Sequence, residues 1–359
     1  MSGIDHQERE PISRADAVSS PGAGRRRLAG IAAILAAATL WGSTGTVAHF
    51  APAGASPAAV GAGRIVLGGA ILVLIALISK DPHRVLAGGQ QGGSGRGAEF
   101  RGMLRSSWPQ RVTLGIGAIG VAGYQLCFFS GVKLTGVAIG TMVAIGSAPV
   151  FTGLISKLTG TARLNGRWFI ATAAAIAGCA VLLLGGRSAG VNLAGASLAL
   201  LAGLCYGGYA VSAARLIKAG ATERPVMAIM FGAGAVLLLP VFAVTSASWL
   251  LTWRGVLVIV ELGALATAAA YLFYGYGLRS VQVPTAVTLG LAEPVVAAVL
   301  ALGVLGERLT GAAVAGLLLV GAALALLARS GRPSRSGRSA SRVRRGPKLI
   351  WAKMTKRAG

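Results

Sequence analysis

Leu291-Ala292-Glu293-Pro294-Val295 lies inside an apolar stretch, and thirteen residues after Pro294 the chain reads Glu307-Arg308-Leu309-Thr310-Gly311. The same frame occurs earlier, where Ala148-Pro149-Val150-Phe151 is followed by Arg163-Leu164-Asn165-Gly166, with Ala162 in the place of Glu307. Residues 148–184 and 293–329 share only eight identities in thirty-seven ungapped positions, so the retained Pro, Arg-Leu and Gly carry the match. A proline within an apolar segment, repeated with its flanking turn, points to a duplicated helical unit and a pathway between the copies.

Working outward, the 359 residues are 54% hydrophobic with a mean hydropathy of +0.71, too apolar for a soluble domain. A helix needs about 20 apolar residues to cross the hydrocarbon core. Charge-poor runs near that length occur at 29–49, 57–79, 112–131, 136–156, 168–186, 193–213, 225–246, 256–278, 283–305 and 309–328. The expected fold is therefore an all-α integral membrane protein with ten spans. Aligning Leu28-Ala29-Gly30 with Leu193-Ala194-Gly195 sets Trp41-Gly42 opposite Tyr206-Gly207, so the repeats begin together as well. Each holds five spans, an odd number, which makes the repeats inverted. The expected divisions are a tail at 1–27, repeats at 28–187 and 193–329, and a basic disordered tail at 330–359.

Lys and Arg fall thirteen to four on alternate sides of the ten spans, which places both termini in the cytoplasm by positive-inside retention. The net charge of +24 sits in loops and in Arg329 to Arg357, a segment with eleven basic and no acidic residues. Attraction to anionic lipid accounts for that tail without nucleic acid, and Leu349-Ile350-Trp351 within it is a candidate interfacial contact. Arg25-Arg26-Arg27 resembles the start of a secretory signal, but the following run matches span six and is expected to stay. Cys127, Cys179 and Cys205 fall inside spans as packing residues, with no metal-ligand spacing. Neither a nucleophile triad nor a phosphate-binding loop is present, so an enzyme, a cofactor and direct use of ATP are not expected.

Leu40-Trp41-Gly42-Ser43, Pro57 through Arg64, Ala148-Pro149-Val150-Phe151 and Leu291 to Val295 with Leu305 to Thr310 together resemble the EamA-type transporters of the drug/metabolite transporter superfamily. The resemblance covers about 29–328. It implies two EamA repeats of five helices, a cavity lined by spans one, three, six and eight, and efflux of amino acids, other metabolites or drugs across the plasma membrane.

Arg64, Glu261 and Glu293 are the ionisable side chains clearly inside spans, where a charge costs at least about 2.5–3.5 kcal/mol at the helix centre and so marks a cavity, a partner or the interface. Glu293, about ten residues into span nine and followed by Pro294, is a candidate for cation binding or proton uptake, or else an internal tie between helices. Arg64, among Gly61, Gly63, Gly68 and Gly69, suits a substrate carboxylate, pairs with Glu293, or lies against backbone carbonyls. Glu261 is expected near the outer face, in a wet vestibule. Trp41, Tyr124, Gln125, Tyr206, Tyr271 and Tyr274 complete the expected pathway, with Pro149 and Pro294 as expected helix breaks and Trp108, Trp249 and Trp253 as interfacial anchors. The expected partner is a small-molecule substrate. A passive facilitator and a non-transporting subunit tethered through its basic tail share these features. An uncoupler separates the first from a proton-driven carrier, and deletion of 331–359 separates the second.

Overall fold

The structure, a computed structural model, describes residues 21–79, 97–184, 192–245, 248–304 and 310–329. The basic C-terminal tail, the first twenty residues and Glu307-Arg308-Leu309 lie outside that set. The described residues form helices and turns only: α1 Pro21–His49, α2 Pro57–Ile78, α3 Trp108–Thr135, α4 Val137–Leu158, α5 Gly166–Leu184, α6 Leu193–Lys218, α7 Glu223–Val244, α8 Trp253–Leu278, α9 Val283–Val304 and α10 Gly311–Arg329. Nine are long and apolar enough to cross a membrane, while α5 has a shorter apolar stretch, Gly166–Leu182. A short helix, Ala98–Leu104, precedes α3, and a 3-10 turn, Ser248–Leu251, precedes α8.

Local chemistry sets the helix starts. The repeated turn is a helix cap in both copies: Asn165 Oδ1 accepts from the Trp168 N–H at 2.9 Å, and Thr310 Oγ1 accepts from the Ala313 N–H at 3.1 Å. Each side-chain oxygen satisfies one of the amides left orphaned at a helix N-terminus. Ser56 and Thr252 cap α2 and α8 in the same way. Gly136 (φ 84°) turns the chain between α3 and α4 in a single residue, a backbone conformation that side chains disfavour.

Packing crosses between the repeats. Helix α1 lies against α8 and α9, and α6 lies in the same way against α3 and α4; α2 packs on α7, and α5 on α10. Exchanging each helix for the one five places along leaves this pattern unchanged, as expected of an inverted repeat. Glycine makes the crossings close. A Cβ at Gly69 would lie 2.6 Å from the Phe231 carbonyl oxygen of α7, and backbone cannot swing aside. Gly69→Val is therefore expected to destabilise the bundle by about 1–3 kcal/mol through overpacking, read as a lower melting temperature in detergent. An unchanged transition would show that α2 and α7 can part without loss.

Two irregularities interrupt the second repeat. Helix α8 is wound as a π-helix over Glu261–Ala269, where the Thr267 hydroxyl donates to the Leu262 carbonyl at 2.7 Å. Helix α9 is interrupted at Gly290 and Leu291, between segments Val283–Leu289 and Ala292–Val304. Pro149, expected as a break, lies instead inside an uninterrupted α4. Its i−4 residue is Ile145, whereas that of Pro294 is the conformationally freer Gly290, so the missing N–H is absorbed in one helix and opens the other. Trp108 and Trp253 are exposed as anchors should be, with Arg111 and Arg254 over their rings. Trp249 is buried beside Val258 and Leu262 and is a packing residue, because its turn folds back onto α8.

Candidate functional site

A cavity of about 450 Å³ lies between the repeats, within the size range of small-ligand pockets. Its deep end is formed by Trp41, Tyr206, Tyr271, Gly290 and Glu293, and it runs past Phe128 and Thr141 to Ala48, Pro57 and Val137, beside the face opposite the start of α1. Of the residues expected on the pathway, Trp41, Arg64, Tyr124, Gln125, Tyr206, Tyr271 and Glu293 line it, as does Pro294, an expected helix break. Pro149, the other expected break, is buried within α4. Tyr274 does not line it: it is fully buried one layer below, with its ring 5.5 Å from that of Trp41. A turn of helix separates Tyr271 from Tyr274, and that turn carries the second ring under the floor.

The break in α9 builds the deep end. Pro294 has no N–H to offer the Gly290 carbonyl, which instead accepts the Glu293 N–H at 2.9 Å. Helix α5 braces the broken segment: the Thr172 and Thr288 hydroxyls are 3.0 Å apart, and the Cys179 thiol donates to the Leu291 carbonyl at 3.9 Å.

Aromatic rings make the walls and floor. Tyr124 stacks on Phe128 at 5.5 Å between centroids and meets Tyr206 at 5.9 Å, while Tyr271 contacts Trp41 at 5.2 Å. Beneath them the Tyr209 and Tyr271 hydroxyls are 3.1 Å apart, over a buried layer that includes Phe231, Met227 and Leu278. Below that layer the termini face is tied shut. Arg27 donates to the Ala328 and Leu327 carbonyls of α10 at 3.3 and 3.4 Å, Ser280 donates to the Arg26 carbonyl at 3.1 Å, and Thr222 donates to Glu99 at 2.7 Å.

Against this apolar lining two charges stand out. Arg64 and Glu293 both line the cavity, yet among the described residues the one ion pair within 4.0 Å is Arg279 with Glu223, on the termini face. Three buried atoms on lining residues, Trp41 Nε1, Thr44 Oγ1 and Arg64 Nε, have no hydrogen-bond partner among the described residues. Glu261 lies behind the lining rather than in an open vestibule, where its Oε1 accepts from the Ser43 hydroxyl at 2.6 Å. Thr44, Thr141, Phe128 and Phe129 were not foreseen as lining. Their signal was the facing of α1, α3 and α4, which a run of uniformly apolar residues does not report.

Comparison with known proteins agrees with this architecture. The model of the EamA-like transporter family matches residues 28–184 and again 193–329. The chain is 34% identical over 307 residues to the uncharacterized transporter YwfM of Bacillus subtilis, covering 86% of this chain and 96% of that one. It is 31% identical over 222 residues to the threonine/homoserine exporter RhtA of Salmonella typhimurium, covering 61% of this chain and 72% of that one. A solved crystal structure, 23% identical, superposes with a TM-score of 0.65 over 84% of this chain and 96% of its own. With both repeats matched and a relative aligned along nearly its whole length, this chain belongs to the EamA-like transporter family.

Proposed function

We propose that the protein is a secondary exporter of a small zwitterionic metabolite, an amino acid in the simplest case, which crosses the plasma membrane through the inter-repeat cavity by alternating access. The observation that carries this reading is the presence of Arg64 and Glu293 on one aromatic-walled cavity without an ion pair between them. Arg64 Nε and Trp41 Nε1 can only donate, so they suit a carboxylate, and Glu293 together with the ring faces suits an ammonium group. Export of threonine and homoserine by the RhtA relative supports the same class. On the positive-inside reading of the loops, the termini face is cytoplasmic and this conformer faces outward. A proton and a substrate ammonium compete for Glu293, and that competition is a means of coupling export to proton entry.

A thermal-shift screen of the purified protein tests the substrate class. A ligand that binds only the native state stabilises it in proportion to the logarithm of its concentration above Kd, by about 2.7 kcal/mol at a hundredfold excess. Free amino acids are expected to raise the melting temperature most, and N-acetylated and decarboxylated analogues, each lacking one pole, to raise it less at equal concentration. Equal shifts from all three would remove the two-pole site. Shifts from cationic drugs alone would favour a drug exporter centred on Glu293.

A further inference from the structure

The repeats match in sequence frame and in packing, yet they differ in backbone form beside the cavity. An offset of 145 residues sets Trp108 opposite Trp253, Ile145 opposite Gly290 and Pro149 opposite Pro294. On this frame the π-wound stretch of α8 and the interruption of α9 fall opposite stretches of α3 and α4 that are regular α-helix throughout. In an inverted-repeat carrier the opposite-facing form is reached when the two halves exchange conformations. Whatever differs between matched helices in one form is then what moves to reach the other.

We propose that in the opposite-facing form α9 closes into a continuous helix while α4 breaks ahead of Pro149, so that Pro149 is the hinge held in reserve by the first repeat. The proposal rests on the alternating-access reading above. Three observations support it. Pro149 has no N–H for the Ile145 carbonyl, so the hydrogen bond that would oppose opening is already missing. Ile145 lines the cavity, as does Gly290 at the existing break, so either break would reshape the same space. The α4 surface around the hinge meets α6 at Gly203, where an added Cβ would run into the Ser147 hydroxyl and lie 2.8 Å from the Ala144 carbonyl and 3.3 Å from the Ala148 nitrogen. Residue 203 thus puts no side chain of its own in the way of a turn that opens.

The hinge is tested by comparing Pro149→Ala with Pro149→Gly. Alanine restores the N–H and favours a straight helix; glycine also restores it but leaves the backbone free to bend. The readout is labelling by a membrane-impermeant maleimide of a single cysteine placed by Leu278→Cys, with Cys127, Cys179 and Cys205 replaced by Ala. Leu278 is fully buried at the end of α8 nearest the termini face, so it labels from that face only when the opposite-facing form opens. In inside-out vesicles Pro149→Ala is expected to slow labelling about tenfold or more, and Pro149→Gly to keep it within about twofold of the parent. A merely packing proline predicts labelling in the Ala variant no slower than in the parent and faster still in the Gly variant, since glycine leaves the larger void and the weaker helix. An Ala variant that labels as fast as the parent or faster, or a Gly variant that labels more slowly than the Ala variant, would overturn the hinge while leaving alternating access intact. A parent that never labels from the termini face would remove alternating access and the hinge together. No substrate is needed, so the result does not depend on the identity of the ligand.

Discussion

Arg64→Gln is expected to weaken binding of a free amino acid by about 10- to 150-fold, the equivalent of the roughly 1.5–3 kcal/mol assigned to a hydrogen bond with a charged partner. The size of the effect follows from the surroundings. The guanidinium faces a cavity whose other walls are mainly carbon and aromatic rings, and water is a poor competitor there. Arg64→Lys keeps the charge but replaces the planar fork with a single ammonium, and should fall between the two. Calorimetry with an amino acid and with its decarboxylated amine separates direct contact from disturbance of the fold. The amine makes no use of Arg64, so its affinity should hardly change. A loss shared by both ligands would mean that Arg64 supports the architecture of α2 rather than the substrate.

Glu293→Gln should lower flux driven by a proton gradient by at least about a hundredfold, the lower end of what a positioned acid–base group contributes. The amide has nearly the shape of the carboxyl and leaves the bond from its own N–H to the Gly290 carbonyl in place, so the break in α9 should survive. It can neither take up a proton nor offer a charge to an ammonium group. Binding should weaken and cease to depend on pH, while exchange of labelled for unlabelled solute continues at saturating concentration. Reconstituted vesicles with and without an imposed gradient distinguish these behaviours. Unchanged gradient-driven flux would take Glu293 out of the mechanism, and equal flux by the parent protein with and without an uncoupler would make it a facilitator.

Much of this architecture could be read in the chain because lipid imposes simple rules. The helices declared themselves by length and apolarity, since every backbone amide in the hydrocarbon must be satisfied within its own segment. Arg64 and Glu293 stood out because charges are scarce at that depth. What escaped was rotational. Tyr271 and Tyr274 share a helix and a chemistry, yet one lines the cavity and the other lies beneath it, because facing depends on neighbours that an evenly apolar sequence does not specify. Pro149 and Pro294 occupy matched positions in the repeat and differ in outcome in this conformer, which depends on the packing around each helix and not on the proline alone. The repeated Asn165-Gly166 and Thr310-Gly311 turns had no assigned role in the sequence, and both now serve as caps.

The crossing of contacts between the repeats bears on how the protein is made. Helix α1 has its main neighbours in α8 and α9, so after insertion it must wait in lipid while about 230 further residues are synthesised, a delay of roughly 10–50 s at ordinary translation rates. The first five helices, left to themselves, expose to lipid the small-residue faces that later meet α6 to α10. The duplicated unit is thus a unit of sequence and not of folding, and the nascent chain gains its packed form only as the last helices leave the ribosome. The clasp between Arg27 and the carbonyl end of α10 is among the last contacts that can form.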